Sequence, residues 1–377
     1  MKGLKVGICG GGVGGLCAAI ALRKLGHDAV VFEQAPQFLR IGADVNLTPN
    51  AVKALDRLGV GAVLRETAAR PTYRISRVWD SGEETSRLPM SDAAEEKYGA
   101  PQLTIHRADL LVALENQLPD SALFLGKKAS RIENDSESTT IHFEDNTSTE
   151  VDVVIGADGI HSAVRNAMFG KDNPEFTGLV SYRAVVPREK LKDVANLDAF
   201  TKWWGDVPEI QVVTFPLTRG EEIFIFATTP QDDWREESWT LEGDVHELRE
   251  VYKGFHPDVQ ALLGACESVT KSALYIRQPM SVWSKGFTTI LGDAAHPMVP
   301  FMAQGACMAI EDAVVLARCL GDVNNRADVP AAFEKYENAR RERTARVQIS
   351  SRQNEWLKTK GNADWVYAYD AWGTELA

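Results

Sequence analysis

No apolar run in this chain comes near the roughly 20 residues that a membrane span needs. No leader precedes the first apolar segment, which starts at about Leu4, so a soluble, cytoplasmic protein is expected. Cysteine is scarce. The five, Cys9, Cys17, Cys266, Cys307 and Cys319, are odd in number and scattered without metal-ligand spacing. That pattern argues against a disulfide framework and for a reducing compartment. Cys9 lies in an apolar segment, as a small buried hydrophobe would. The seven histidines are scattered too and form no metal set. Basic residues are outnumbered, leaving a formal charge of −12, and they cluster only at Arg340-Arg341-Glu342-Arg343. A nucleic-acid surface needs a basic face to neutralise phosphates, so no nucleic-acid partner is expected. The cluster falls in a helical pattern and reads as a solvated face. Repeats and low-complexity segments are also missing, and 377 residues suggest two domains.

What is present begins with "LKVGICGGGVGGLCAAIALRKLGHDAVVFEQ", a strand, a glycine turn, a helix and a second strand. Gly10, Gly12 and Gly15 fit the spacing G-x-G-x-x-G. The first permits the tight turn, the second lets a pyrophosphate approach the backbone, and the third lets helix and sheet pack closely. Helix N-terminal amides would then face the phosphates. Glu33 ends the second strand, where a carboxylate can accept both ribose hydroxyl protons and would repel a 2′-phosphate. A dinucleotide site follows from this context, FAD and NAD both being open.

Farther on, "IGADVNLTPN" leads into an amphipathic helix, Tyr73 to Leu88 reads as a hairpin, and His106 to Gln117 as a helix. Short strands follow, ending in "VDVVIGADG", which is apolar on both faces and reads as a buried parallel strand. From about Val180 to Leu274 the style changes to alternating strands with Gly and Pro turns, the pattern of a largely antiparallel sheet. A helix is expected near Glu242–Tyr252 and a long final one from Pro330 to about Lys358. The expected fold is therefore α/β, with a Rossmann-like domain interrupted by a sheet domain. The boundaries are 1–72, 99–179 and 275–377 for the first, and 73–98 and 180–274 for the second. Substrate pockets form at such junctions.

Two more motifs carry a resemblance. "DVVIGADGIHSAVR", with Asp158, Gly159, Ser162 and Arg165, resembles the second signature of the flavin aromatic hydroxylases. "ILGDAAHPMVP", with Gly292, Asp293, His296, Pro297 and Pro300, resembles their third. With the glycine fingerprint they stand in the family's order along the whole chain. The resemblance implies the para-hydroxybenzoate hydroxylase fold, tightly held FAD, and NADH or NADPH and O2 as transient cosubstrates. It also implies ring hydroxylation by a C4a-hydroperoxyflavin. Asp293 would then take a ribityl hydroxyl, and Arg107, with Arg40 beside it, would lie near the phosphates and ribityl chain. Asp158 would serve FAD and nicotinamide, or simply cap the turn before Ser162. Gly305 and Ala306 would let the flavin approach a helix whose positive end faces it, with Pro300 before them. His296 has no carboxylate in an obvious triad relation and reads as a structural part of the turn.

Within that family the likeness is to hydroxypyridine-carboxylate hydroxylases of the 6-hydroxynicotinate 3-monooxygenase type, through "TIHRADL", "KWW", "FHPDVQALL" and "MAQGACMAIEDA". The substrate side departs from it. Asn46, in "GADVN", replaces a histidine of the family's "GAGIH", and Phe301 replaces another. Expected pocket walls are Asn46, Gln211, Val213 and Phe215, with Pro300, Phe301 and Met302 from the third motif. Asn46 does not titrate, so no general base is assigned. Arg183 or Gln211 could meet a substrate carboxylate. The function expected is hydroxylation of a small electron-rich aromatic or N-heteroaromatic ring, with or without decarboxylation, by a monomer or homodimer. A hydroxylase or epoxidase of a larger, more apolar fused ring is the alternative.

Overall fold

The strand Lys5–Cys9 is buried from Val6 onward and lies between Asp28–Glu33 and Val153–Gly156, parallel to both. Apolar side chains on both faces suit a central parallel strand covered by helices. A computed structural model describes residues 3–37, 44–135, 137–238, 240–354, 356 and 362–376. Among them a six-stranded sheet extends from this centre through Thr288–Ile290 on one side and Leu123–Leu125 on the other. The helix Val13–Lys24 is buried from Val13 to Leu22 and packs on the helix Gly305–Leu320. A helix apolar on every side has to be enclosed, and this one is.

The second sheet has eight strands, in the order Glu242–Gly243, Val269–Ile276, Glu175–Pro187, Glu222–Pro230, Gln211–Leu217, Phe200–Trp204, Tyr73–Val78 and Glu84–Pro89. All neighbours are antiparallel except Phe200–Trp204 with Tyr73–Val78. Side chains alternate between faces along each strand. Tyr182, Val212, Ile225 and Trp203 share a core with Leu248 of the helix Val245–Val251 and Leu262 of Pro257–Gly264. Phe200, Val213, Phe215, Phe224 and Phe226 form the opposite, inner cluster, against which Phe301 packs.

A two-stranded ribbon, Asp44–Leu47 with Leu103–His106, meets this sheet where Thr104 Oγ1 donates to the Pro216 carbonyl at 2.6 Å. The last long helix runs Val329–Gln353, and Asn354 caps it in the left-handed region at φ 51°. The helix expected to reach about Lys358 thus stops earlier, and residues 357–361 lie outside the described part. Gln348 and Ser351 on this helix donate to the carbonyls of Pro297 and Val299 at 3.1 and 2.5 Å, fastening the loop that follows Asp293. No described helix is long and apolar enough to cross a membrane.

Candidate active site

Gly10 turns the chain out of the first strand at φ 110°, and a Cβ there would stand 2.3 Å from the Ala157 carbonyl oxygen. At Gly15 a Cβ would meet the Gly10 carbonyl oxygen at 2.0 Å, so close helix–strand packing requires the glycine. Gly12 differs: a Cβ there would meet nothing within 4 Å. Its smallness serves open space at a helix N-terminus, which is what a close-approaching phosphate needs. Glu33 bounds the same cradle, accepting the Gly11 amide at 2.6 Å and the Ala35 amide at 2.8 Å.

Arg107 opens the helix Arg107–Glu115 behind the His106 N-cap. Burial lowers its pKa, while the nearby charges of Asp293 and Glu33 act the other way, so these three groups lie in one electrostatic neighbourhood. Asp293 follows the strand Thr288–Ile290 in a 3₁₀ turn and opens to solvent. The protein crowded around its carboxyl still desolvates it enough to raise its pKa against the pull of His296 and Arg107. Asp158 accepts from the Ser162 hydroxyl at 2.5 Å and from the Ala163 and Val164 amides at 2.7 and 3.1 Å. Burial raises its pKa against those hydrogen bonds. Both of its oxygens therefore cap the helix Ala163–Phe169. Gly305 and Ala306 form the first turn of the helix Gly305–Leu320 and are half-buried. Arg40 lies outside the described residues.

Two expectations need correction. His296 does have a carboxylate partner, Asp312, whose Oδ2 is 2.5 Å from Nε2, both side chains being buried. The pair is sixteen residues apart, and only the return of the chain through a helix brings it together. Burial alone would raise the Asp312 pKa, but His296 and Arg340 outweigh it and hold the carboxyl at about 2. The basic cluster is only in part a solvated face: Glu342 is exposed, but two of its arginines turn inward. Arg340 is fully buried, with Nη1 2.6 Å from Glu311 and Nε 2.7 Å from Asp312. Arg343 clasps Glu311 with two nitrogens at 2.8 and 2.9 Å, and Asn50 adds a third donor at 2.7 Å. These buried charges persist because each is paired and hydrogen-bonded. They bolt the third motif to two helices, and His296 is part of that bolt.

On the ring side, strand pairing places Arg183, Phe226, Val213 and Lys202 in one row across the inner face. Phe215 lies in the next row and stacks on Phe200 at 5.2 Å between centroids. Gln211 sits on the same face as Val213, one pleat away, and is 1% exposed. Pro300 is exposed and Phe301 half-buried against the inner cluster. Met302, by contrast, is 2% exposed and packs into the core of the six-stranded sheet. Asn46 is buried and accepts from Gln102 at 3.4 Å.

Two residues in this region carry chemistry not anticipated above. Asp44 pairs with His106 as Asn46 pairs with Thr104, so all four share the ribbon face that meets the sheet. Burial pushes the Asp44 carboxyl up to about 7, opposed by the Arg183 guanidinium. Lys202 is a cation inside a strand buried at every position, "FTKWW". A charge in so apolar a strand is the signal that could have found it.

Residues 3–351 match the family model described as "FAD binding domain". The chain belongs to the FAD-dependent aromatic monooxygenases. It is 39% identical over 374 residues to 6-hydroxynicotinate 3-monooxygenase of Pseudomonas fluorescens, covering 99% of this chain and 96% of the relative. It is 36% identical to 3-hydroxybenzoate 6-hydroxylase of Polaromonas naphthalenivorans, covering 93% and 87%. Among solved structures, a salicylate hydroxylase substrate complex superposes with a TM-score of 0.84 at 28% identity, covering 98% and 96%. This monooxygenase has the para-hydroxybenzoate hydroxylase fold that the motifs implied. FAD is its cofactor, and the open position at Gly12, the Glu33 carboxylate and the Arg107–Asp293 neighbourhood fit it.

Proposed function

We propose that this monooxygenase uses NAD(P)H and O2 to hydroxylate a small, electron-rich aromatic or N-heteroaromatic ring, as 6-hydroxynicotinate 3-monooxygenase does by name. Decarboxylation accompanies attack where the attacked carbon bears a carboxylate. One observation carries the reading. The loop that holds Asp293, in one electrostatic neighbourhood with Arg107 and Glu33, continues into Phe301, which packs on the aromatic inner face of the sheet.

When bound, FAD accepts hydride from NAD(P)H and activates O2. The chain's own residues bind, orient and exclude water. Gly10, Gly12, Gly15 and Glu33 hold the nucleotide half, while Arg107, Asp158 and Asp293 bound the ribityl region. Pro300 precedes the helix starting at Gly305 and Ala306, whose positive end favours negative charge on the flavin. Phe226, Val213, Phe215 and Phe301 keep water from the ring, with Asn46 closing the loop side. Asp44 is the carboxyl we assign to take the proton of a ring hydroxyl. Facing it are Arg183 from the sheet and His106 from its partner strand, and Glu237 acts on Arg183 in turn. A carboxyl held near 7 suits that transfer at neutral pH. The five free cysteines, four of them buried, support a cytoplasmic setting.

A larger fused-ring substrate is the second reading, and the apolar pair Val213 and Phe301 favours it. Stopped-flow flavin reduction by NAD(P)H, run across hydroxypyridines, hydroxybenzoates and quinolones, separates the two. The expected result is faster reduction with one small-ring ligand, together with stoichiometric hydroxylated product. Reduction at one rate with every ligand, and no hydroxylated product, overturns the proposal.

A further inference from the structure

The helix Pro49–Leu58 continues the ribbon strand Asp44–Leu47 and packs on the helix Gly305–Leu320. Thr48 is its N-cap residue, and a threonine there ordinarily accepts a first-turn amide. This one accepts none. Its hydroxyl is spent sideways, donating to Asn50 Oδ1 at 2.6 Å and accepting from Gln304 Nε2 at 2.9 Å. Asn50 Nδ2 closes the circuit on Gln304 Oε1 at 3.3 Å and also reaches Glu311 at 2.7 Å. The three side chains donate in one direction around this circuit, and each is 1% exposed or less. A buried network so fully satisfied is rigid. Cys307 ties the same point to the ribbon, its thiol donating to the Asn46 carbonyl at 3.3 Å. Gln304 is in turn the N-cap residue of Gly305–Leu320, and its side chain leaves that helix's first amides uncapped. Just before it, Ala303 holds φ 55° and ψ 40°, a left-handed backbone that a residue with a Cβ adopts only where its surroundings enforce it.

We propose that Gln304 and Thr48 are positioning residues that fix the flavin-facing end of Gly305–Leu320 relative to the ribbon carrying Asp44. The inference rests on the hydroxylase reading and adds to it how cofactor and substrate are kept in register. Neither side chain touches the reacting atoms; both act through the backbone. On one side the circuit holds the strand that bears Asp44 and Asn46. On the other it holds the peptides from Ala303 to Gly305, where the uncapped amides form the positive end that favours charge on the reduced flavin. Opening the circuit frees Ala303 to leave the left-handed region and turns those amides relative to Asp44. They then stabilise reduced FAD less, and a substrate held from the Asp44 side falls out of register with the oxygen that FAD activates. Small misplacements of reacting groups cost much of the rate. Turnover is diverted: NAD(P)H, H+ and O2 give NAD(P)+ and H2O2, both electrons passing to O2 and no oxygen to the substrate.

The test uses the FAD-loaded enzyme and three variants, Gln304→Met, Thr48→Val and Thr48→Ser, all of which leave the contact of Asn50 with Glu311 in place. The first two open the circuit, and serine closes it again with its own hydroxyl. The reduction potential of bound FAD, measured by dye equilibration without substrate, is the readout that needs no turnover. In Gln304→Met and Thr48→Val the affinity for reduced FAD should fall about tenfold relative to oxidised FAD, about 30 mV for two electrons. H2O2 formed per NAD(P)H oxidised should rise several-fold with the ring that the wild type hydroxylates best, and Thr48→Ser should restore both quantities. Should Gln304→Met fail to retain FAD, the near-isosteric Thr48→Val and its serine control carry the test alone. A wild-type potential and H2O2 yield in the open variants overturn the proposal, whatever their thermal midpoints, because a merely structural network lowers the midpoint and moves neither. Thr48→Ser as defective as Thr48→Val overturns it too. Failure of every ring to accelerate NAD(P)H oxidation in the wild type is a separate result, and it overturns the hydroxylase reading instead.

Discussion

At the scale of single residues, the glycines of the fingerprint divide into one that the fold needs and one that the cofactor needs. Gly15→Ala would push a methyl group to 2.0 Å from the Gly10 carbonyl oxygen, so unfolding at a lower denaturant concentration is expected. Gly12→Ala meets no protein atom within 4 Å. Its apoprotein should unfold as the wild type does, while FAD affinity measured by flavin fluorescence falls at least about tenfold, from crowding at the helix N-terminus. Equal stability loss in both variants would contradict this division. Asp44 gives a pH prediction with a definite sign. Its carboxyl is raised from 3.8 to about 7 in the folded chain, so the folded state holds a proton that the unfolded state has released. Stability therefore falls as pH rises from about 4 to about 7. Asp44→Asn removes that penalty and should gain about 1–3 kcal/mol at pH 8 in urea unfolding. The same variant should lose about a hundredfold in hydroxylation rate and any rate dependence on a group near 7. A rate profile unchanged in shape would remove Asp44 from the proton path. These residues differ in legibility. The glycine spacing is local and readable in the chain, whereas the environment of Asp44 depends on Arg183, which arrives from another sheet.

At the scale of elements, the helices Gly305–Leu320 and Val329–Gln353 are joined by charge in the core. Glu311, Asp312, Arg340 and His296 are all nearly or fully buried. Removing one partner strands the others, so Arg340→Met should cost about 3–5 kcal/mol in denaturant unfolding. It should also loosen the Asp293 turn, seen as weaker FAD retention. Asp312 is held at about 2 in the folded chain, below its ordinary 3.8. Its contribution is complete above about 4 and is lost as pH falls toward 2, at about 1.4 kcal/mol per pK unit. Unfolding free energies measured between pH 6 and 2.5 should show this decline in the wild type, and a flatter one in Arg340→Met. Local pattern misled here for a physical reason. Charges on a helix usually face water, and helical periodicity carries no record that Glu311 and Asp312 wait on the facing helix. Elements whose burial follows from their own side chains, such as the apolar strand Val153–Gly156, were readable without that knowledge.

At the scale of the whole molecule, FAD contacts would be drawn from the fingerprint turn, the helix at Arg107, and the turns after Gly156 and Ile290. Ligand binding to the folded state alone stabilises it by mass action, by about 2.7 kcal/mol at a hundredfold excess over Kd. The thermal midpoint should thus climb with the logarithm of FAD concentration, and a midpoint independent of FAD would contradict the assigned site. The sequence by itself determined the α/β class and the dinucleotide turn, while its three ordered motifs carried only a resemblance to the flavin hydroxylases. Those features are set by short-range geometry, where glycine spacing, an apolar strand and a terminal acid lie within a few turns of chain. Tertiary structure alone decided the rest. It put Phe301 against the sheet, paired His296 with Asp312, buried Arg340, and closed Gln304, Thr48 and Asn50 into one circuit. Each of those depends on strands and helices far apart in sequence meeting at one face, where burial changes what a charge or an amide can do.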